Sequence, residues 1–305
     1  MTSRGRFADV VIRSEVPIPE LEPATTRQDG VEELVVTRGE AEGPITWFHH
    51  WVVPDGTVWA DFGETADSYH IRFPDLAGFS VARDGRRVQV SVSPSVPEHT
   101  QRHLLLNQVL PLALSLTGRT VLHAGAVEWN GRGVVILGPS GSGKSTLVAA
   151  CARAGAGVMA DDSVVLRHDA GRWSAVPSYP AIRLWPSALQ LLGLHDDGAA
   201  PRHAALAHYF DKRRVRPDSE GWRFHAEPVP VSLVVVLSSS ASSARPVAVD
   251  ALSQVFRMDL RDPGQSRQVF ERITQLLLDV PVLRVGQQPD ERQADELAAR
   301  VRDMA

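Results

Sequence analysis

Between residues 30 and 95, apolar and polar positions alternate in short runs separated by turn-forming residues, at 33–38, 57–62, 68–73, 79–83 and 87–93. A period of two predicts strands that bury one face. The Asp84-Gly85 pair between the last two runs predicts a tight hairpin, because both residue types tolerate the positive φ that such turns need. From Pro97 onward the period lengthens, with Leu104, Leu105, Val109, Leu112 and Leu116 at helical spacing until Thr117-Gly118 ends the run. These patterns predict a β-rich α+β N-terminal region over 1–117, serving acceptor binding or assembly, and a second domain over 118–305. In the latter, a strand over 121–129, another over 133–137, a glycine-rich loop and a helical run over 146–154 follow in order. A strand over 158–162, a hairpin around Ala170-Gly171, a strand over 231–237, a polar surface loop over 238–243 and helices near 265–279 and 290–303 complete it. The alternation of strands with helices is that of an α/β fold.

Composition narrows the function classes. With 305 residues, 43% hydrophobic and 22% charged, the chain can bury a large core and is not disordered as a whole. The net charge of −4, from 32 basic and 36 acidic residues interspersed along the chain, supplies no field for a polyanion or an acidic lipid surface. Neither nucleic acid nor membrane is therefore expected as a partner. A single cysteine, Cys151, forms neither an internal disulfide nor a multi-thiolate zinc site. Residues 1–20 carry no apolar core of a signal peptide, and the longest apolar runs are too short to span a bilayer, so a cytoplasmic location is expected. The basic residues are 30 arginines and two lysines, Lys144 and Lys212. A lysine kept in such a background marks a place that needs a compact point charge rather than a planar fork.

One of those lysines closes a motif. Gly138-Pro139-Ser140-Gly141-Ser142-Gly143-Lys144-Ser145-Thr146 fits GxxxxGK[ST] between a strand and a helix, the order a phosphate-binding loop requires. Its glycines let successive backbone N–H groups point into one concavity, the helix N-terminus adds positive potential, and the ammonium reaches the phosphates. ATP and Mg²⁺ are the expected cofactors, with Ser145 on the metal. Upstream, Asn130-Gly131 signals a two-residue hairpin whose register pairs Trp129 with Arg132, Val127 with Val134, Gly125 with Ile136 and His123 with Gly138. That register would put the His123 imidazole at the mouth of the loop. Downstream by 17 positions from Lys144, the apolar run ending at Ala160 delivers Asp161 and Asp162. Adjacent strand positions face opposite sides, so the two carboxylates should divide the work, one on metal and one accepting a proton.

Taken together, His123, the loop 138–145 and Ala160-Asp161-Asp162 resemble the HPr kinase/phosphorylase family over about residues 118–285, and within it the smaller HPr-kinase-like proteins found beside peptide-modification genes, such as lasso-peptide kinases. The resemblance implies that Asp161 acts as base toward a serine hydroxyl, that His123 supports it, and that Asp162 and Ser145 serve Mg²⁺. It also implies a ring or dimer of identical chains. The family's Glu-x-Arg-Gly segment corresponds here to residues 179–186, where Arg183 is present and the glutamate is absent, so phosphorolysis and HPr itself as substrate do not carry over.

Lys212, in Phe210-Asp211-Lys212-Arg213-Arg214, is a candidate second phosphate contact, with Arg213 or Arg214 placed to stabilise charge on the transferring group. His49-His50 and the pair His99 and His103 lack companion ligands at zinc spacing. The expected function is transfer of the γ-phosphate of ATP to a hydroxyl, a serine in a peptide or small protein. A nucleotide-dependent ATPase or switch, and a kinase of a small molecule such as free serine, are the alternatives.

Overall fold

The computed structural model describes residues 2–24, 31–40, 43–53, 55–92, 95–194, 204–205, 212–238, 247–286 and 291–305. The chain divides into two compact units, Met1–Arg119 and Thr120–Ala305. The first is built on a nine-stranded sheet in the order β3-β1-β2-β4-β9-β8-β7-β6-β5. Its strands are β1 Ser3–Phe7, β2 Val10–Ser14, β3 Glu22–Pro23, β4 Glu33–Arg38, β5 Thr46–Val52, β6 Val58–Glu64, β7 Ser68–Phe73, β8 Ala77–Ala82 and β9 Arg87–Val92. Five of these follow the alternating runs closely. Antiparallel pairing of β1 with β2 and of β5 with β6 carries the sheet beyond those five on either side.

The helical run is interrupted rather than uniform. Helix α1, Glu98–Leu104, passes into a π turn, Leu105–Val109, before α2, Leu110–Leu116. Pro111 explains the slip: it has no N–H, and its ring clashes with the carbonyl of the residue four positions earlier, Asn107, which lies inside the π turn. Leu104, Leu106, Val109 and Leu110 are all fully buried.

The second unit contains β10 Thr120–Leu122, β11 Gly125–Trp129, β12 Arg132–Leu137, α3 Lys144–Arg153, β13 Gly157–Ala160, β14 Val164–Asp169, β15 Arg172–Val176, β16 Ile182–Leu184 and α4 Pro186–Leu191. It continues with β17 Ala204–Ala205, β18 Arg213–Val215, β19 Val229–Leu237, α5 Val247–Leu252, α6 Pro263–Asp279, β20 Val282–Val285 and α7 Glu291–Met304. Seven strands run in the order β10-β14-β15-β19-β12-β11-β13, with β20 beside β19. A small sheet, β16-β18-β17, is separate. Val134, Ile136, Leu233 and Val235 pack with Leu147 and Val148 of α3 and Ala298 and Val301 of α7. Val135, Val234 and Val236 on the other face pack with Met159, Leu166, Ile273 and Leu276. Burial on both faces is why β12 and β19 read as unbroken apolar runs rather than alternating ones. The molecule is thus mixed α/β with large sheets. No helix among the described residues is long and apolar enough to cross a membrane.

The Asn130-Gly131 hairpin forms with φ of 51° and 79° and pairs Trp129 with Arg132, Val127 with Val134 and Gly125 with Ile136. The ladder stops there, so His123 does not pair with Gly138. The chain leaves the strand at His123-Ala124, whose upstream neighbour Leu122 pairs with Val164 in β14, and the His123 N–H donates to the Gln254 carbonyl at 2.6 Å. The expected strand 121–129 is therefore two strands, β10 at one end of the sheet order and β11 next to the other end. Of the expected surface loop, residues 239–243 lie outside the described residues.

Candidate functional site

Two chain breaks lie side by side in the second unit. One joins β10 to β11 at His123-Ala124, and the other joins β13 to β14 at Asp161-Asp162-Ser163. The His123 Nδ1–H donates to the Asp162 carbonyl oxygen at 3.2 Å, since a carbonyl can only accept. The histidine therefore meets the acidic pair through a backbone group, and its ring also meets Phe256 edge-on at 6.2 Å. Burial, followed by the charges of Lys144, Arg183 and Lys212, holds the imidazole pKa well below its usual value. At neutral pH His123 is uncharged, with Nε2 as a free lone pair in that tautomer.

The glycine-rich segment 138–143 leaves β12 and enters α3. Its first residue has to be glycine, because a Cβ at 138 would lie 2.7 Å from the Leu237 carbonyl oxygen and 2.6 Å from Ser142 Oγ. Pro139, Ser140 and Gly141 form the exposed tip, and Gly143, at φ 93°, caps the helix. Thr146 lies partly buried in the first turn of α3 behind Ser145. Lys144 is 6% exposed, and its ammonium folds back onto the loop, donating to the carbonyls of Gly138 at 2.7 Å and Pro139 at 3.1 Å. Burial, with Lys212 and Arg183 close by, lowers its pKa to about 8 against the opposing pull of Asp161. The Ser142 hydroxyl is buried with no hydrogen-bond partner among the described residues.

The two carboxylates take different partners. Asp161 is held at both oxygens: Ser145 Oγ donates to Oδ1 at 2.8 Å and the Arg183 backbone N–H donates to Oδ2 at 2.8 Å. Asp162, in left-handed backbone at φ 71°, turns away from Ser145 and forms a buried ion pair with the Arg183 guanidinium. Of the two carboxylates, the one that Ser145 meets is Asp161, whereas Asp162, expected beside Ser145 on the metal, meets Arg183. Position 161 directly follows β13 and its carboxylate meets Ser145 in the first turn of α3, whereas the positive φ at 162 turns that side chain toward Arg183 in β16.

Lys212 joins the cluster. Its ammonium lies 5.4 Å from the centroid of the Trp185 ring, and burial, followed by Arg183, lowers its pKa to about 8, with Asp161 opposing. Arg213 does not join it. In the β16–β18 ladder Arg213 pairs with Leu184, and Arg214 pairs with Arg183, so Arg214 and not Arg213 shares a face with Arg183. The residue that sequence reasoning left out of the site is Arg183 itself, which touches both carboxylates. Its only signal was its place in the segment 179–186, and nothing local in that segment tells which partners it meets.

Three cations, Lys144, Lys212 and Arg183, thus surround two carboxylates in a largely buried space, an excess of positive charge suited to a polyanion. Among the described residues there is no group of three or more His, Cys, Asp or Glu able to hold a metal ion. One hydroxyl and one carboxylate nevertheless fit Mg²⁺, which keeps several waters and takes its other ligands from substrate phosphates. The orphaned Ser142 hydroxyl and the self-satisfied Lys144 fit a loop that receives phosphate.

The sequence matches no protein-family model and no curated protein. Among solved structures the chain is similar to the HPr(Ser) kinase/phosphatase from Coxiella burnetii, at 16% identity over 60% of this chain and 88% of that one, with a TM-score of 0.34. A likeness of that strength carries no argument about activity, which rests on the residues of the site.

Proposed function

We propose that the chain is an ATP- and Mg²⁺-dependent phosphotransferase that moves the γ-phosphate to a hydroxyl, with serine in a peptide or small protein as the acceptor class. The observation that carries this reading is the convergence of Lys144, Ser145, Asp161, Asp162, Arg183 and Lys212 at the ends of β12, β13 and β16. Phosphoryl transfer asks a protein for positioning and charge stabilisation more than for covalent chemistry. Lys144 and the N-terminus of α3 take the β- and γ-phosphates, and Lys212 supports the transferring group. Ser145 and Asp161 hold Mg²⁺, which when bound neutralises charge on the phosphates. Asp162 is the carboxylate left to receive the acceptor proton, and neutral His123 fixes the backbone that carries it.

The experiment is incubation of the full chain with labelled ATP and a panel of peptides, small proteins and free serine. Label on a hydroxyl that disappears in Asp162→Asn, while ATP binding persists, supports the reading. Steady phosphate release with no labelled acceptor assigns the chain to the hydrolytic or switch class instead.

A further inference from the structure

We propose that Arg183 is a cis-acting arginine that changes partners, leaving Asp162 for the terminal phosphate of a bound triphosphate and so releasing that carboxylate to act on the acceptor hydroxyl. This inference rests on the phosphotransferase reading above and adds to it a residue and a coupling.

The geometry singles out this residue. Its backbone N–H is pinned to Asp161 Oδ2 at 2.8 Å, so its main chain is fixed relative to the carboxylate that Ser145 also holds. Its side chain is free of that constraint and lies at the opposite carboxylate, Asp162, where it is 9% exposed. The guanidinium charge is felt at Lys144, Lys212 and His123, which places it beside the loop ammonium rather than across the unit from it. A planar fork with several donors can hold a carboxylate or a phosphate in the same bidentate way. A terminal phosphate offers it more charge than one carboxylate, and the exchange assigns that place to the γ-phosphate, which a diphosphate lacks.

The exchange sets an order of events. While the guanidinium is paired with Asp162, its positive charge lowers the affinity of that carboxylate for a hydroxyl proton, and a water or acceptor near the site is not activated. Once the triphosphate takes the guanidinium, the acceptor oxygen can form its bond to the γ-phosphorus as the bond from that phosphorus to the β–γ bridging oxygen breaks. The hydroxyl proton passes to Asp162 and then to solvent, and ADP leaves. Arg183 remains on the transferring group, where negative charge is held in the transition state.

A binding cycle on the full chain tests the exchange without needing the acceptor. Calorimetry with Mg²⁺ compares ADP and a non-hydrolysable imido analogue of ATP on the wild type, Asp162→Asn, Arg183→Gln and the double variant. Asparagine keeps the shape of Asp162 and tolerates its positive φ, and ADP affinity reports whether each protein is folded. Asp162→Asn should tighten the analogue relative to ADP by about fivefold or more, a typical coupling between linked sites. Arg183→Gln should erase the preference for the analogue, and in that background Asp162→Asn should bring no gain. Should Arg183→Gln fail to fold, Arg183→Lys, which keeps charge without the fork, should erase the preference in its place. Equal effects of Asp162→Asn on both nucleotides, or a gain that survives loss of Arg183, overturn the exchange and leave the phosphotransferase reading intact. Failure of the wild type to bind either nucleotide removes both.

Discussion

At the scale of the residue, the proposed chemistry falls to two lysines and one arginine in a chain that otherwise uses arginine almost everywhere. Lys144→Ala removes the charge that the loop folds around, and nucleotide affinity should fall about 10- to 100-fold, the effect of losing a charge-assisted contact of roughly 1.4–3 kcal/mol, measured by calorimetry. Asp161→Asn should raise the Mg²⁺ concentration needed for half-maximal transfer by about tenfold or more, measured by titrating the metal at fixed ATP. The two lysines also set a pH dependence. Both titrate near 8 in the nucleotide-free fold, against an ordinary 10.5. Between those values the unfolded chain binds more protons than the folded one, so these groups make stability rise with pH across that window. Bound phosphate favours the charged lysines, so nucleotide affinity should move the other way and fall from pH 7 to 9. Thermal unfolding without nucleotide and calorimetry across that range check the two signs separately.

At the scale of the element, the strand–loop–helix unit around Lys144 was legible because its requirements are local: glycines at fixed offsets, a lysine, and a helix that follows. Gly138→Ala tests it, since the added methyl meets the Leu237 carbonyl oxygen. The expected cost is about 1–3 kcal/mol of stability, read from denaturant unfolding, with nucleotide binding weakened beyond that. The Asn130-Gly131 hairpin was legible for the same reason, down to the pairing of Gly125 with Ile136. What the run from 121 to 129 does not reveal is the break at His123-Ala124, because β10 and β11 are both apolar and β-branched and the pattern is continuous across them. The break comes from competition between ladders: Leu122 pairs with Val164 while Ala126 pairs with Ala160, and no single straight strand reaches both.

At the scale of the whole molecule, the second unit brings Asp161 and Arg183 together from positions 22 residues apart, and Lys212 from further along. Ligand binding to such a converged site should stabilise the elements that build it. With Mg²⁺ and nucleotide at about 100 times Kd, hydrogen exchange in α3 and β13 should slow by up to the equivalent of ~2.7 kcal/mol. Unchanged exchange there, with nucleotide demonstrably bound, would contradict the assigned location. The alternating runs of the first unit reveal β4 and β6 to β9 but not β1, β2, β3 or β5. Strand β5, Thr46–Val52, is mostly exposed on both faces, so it lacks the alternation that reveals a half-buried strand.

The sequence alone determined the glycine-rich turn between β12 and α3, the adjacency of two carboxylates, the hairpin before them and the α/β character of the second half, because each depends on residues close together in the chain. Tertiary structure decided which carboxylate meets Ser145, that Arg183 holds both, and that Arg214 rather than Arg213 faces it. Those outcomes depend on the positive φ at Asp162 and on the register of β16 against β18. A one-residue shift in such a register exchanges the faces of a strand, and no local pattern in these short strands specifies it.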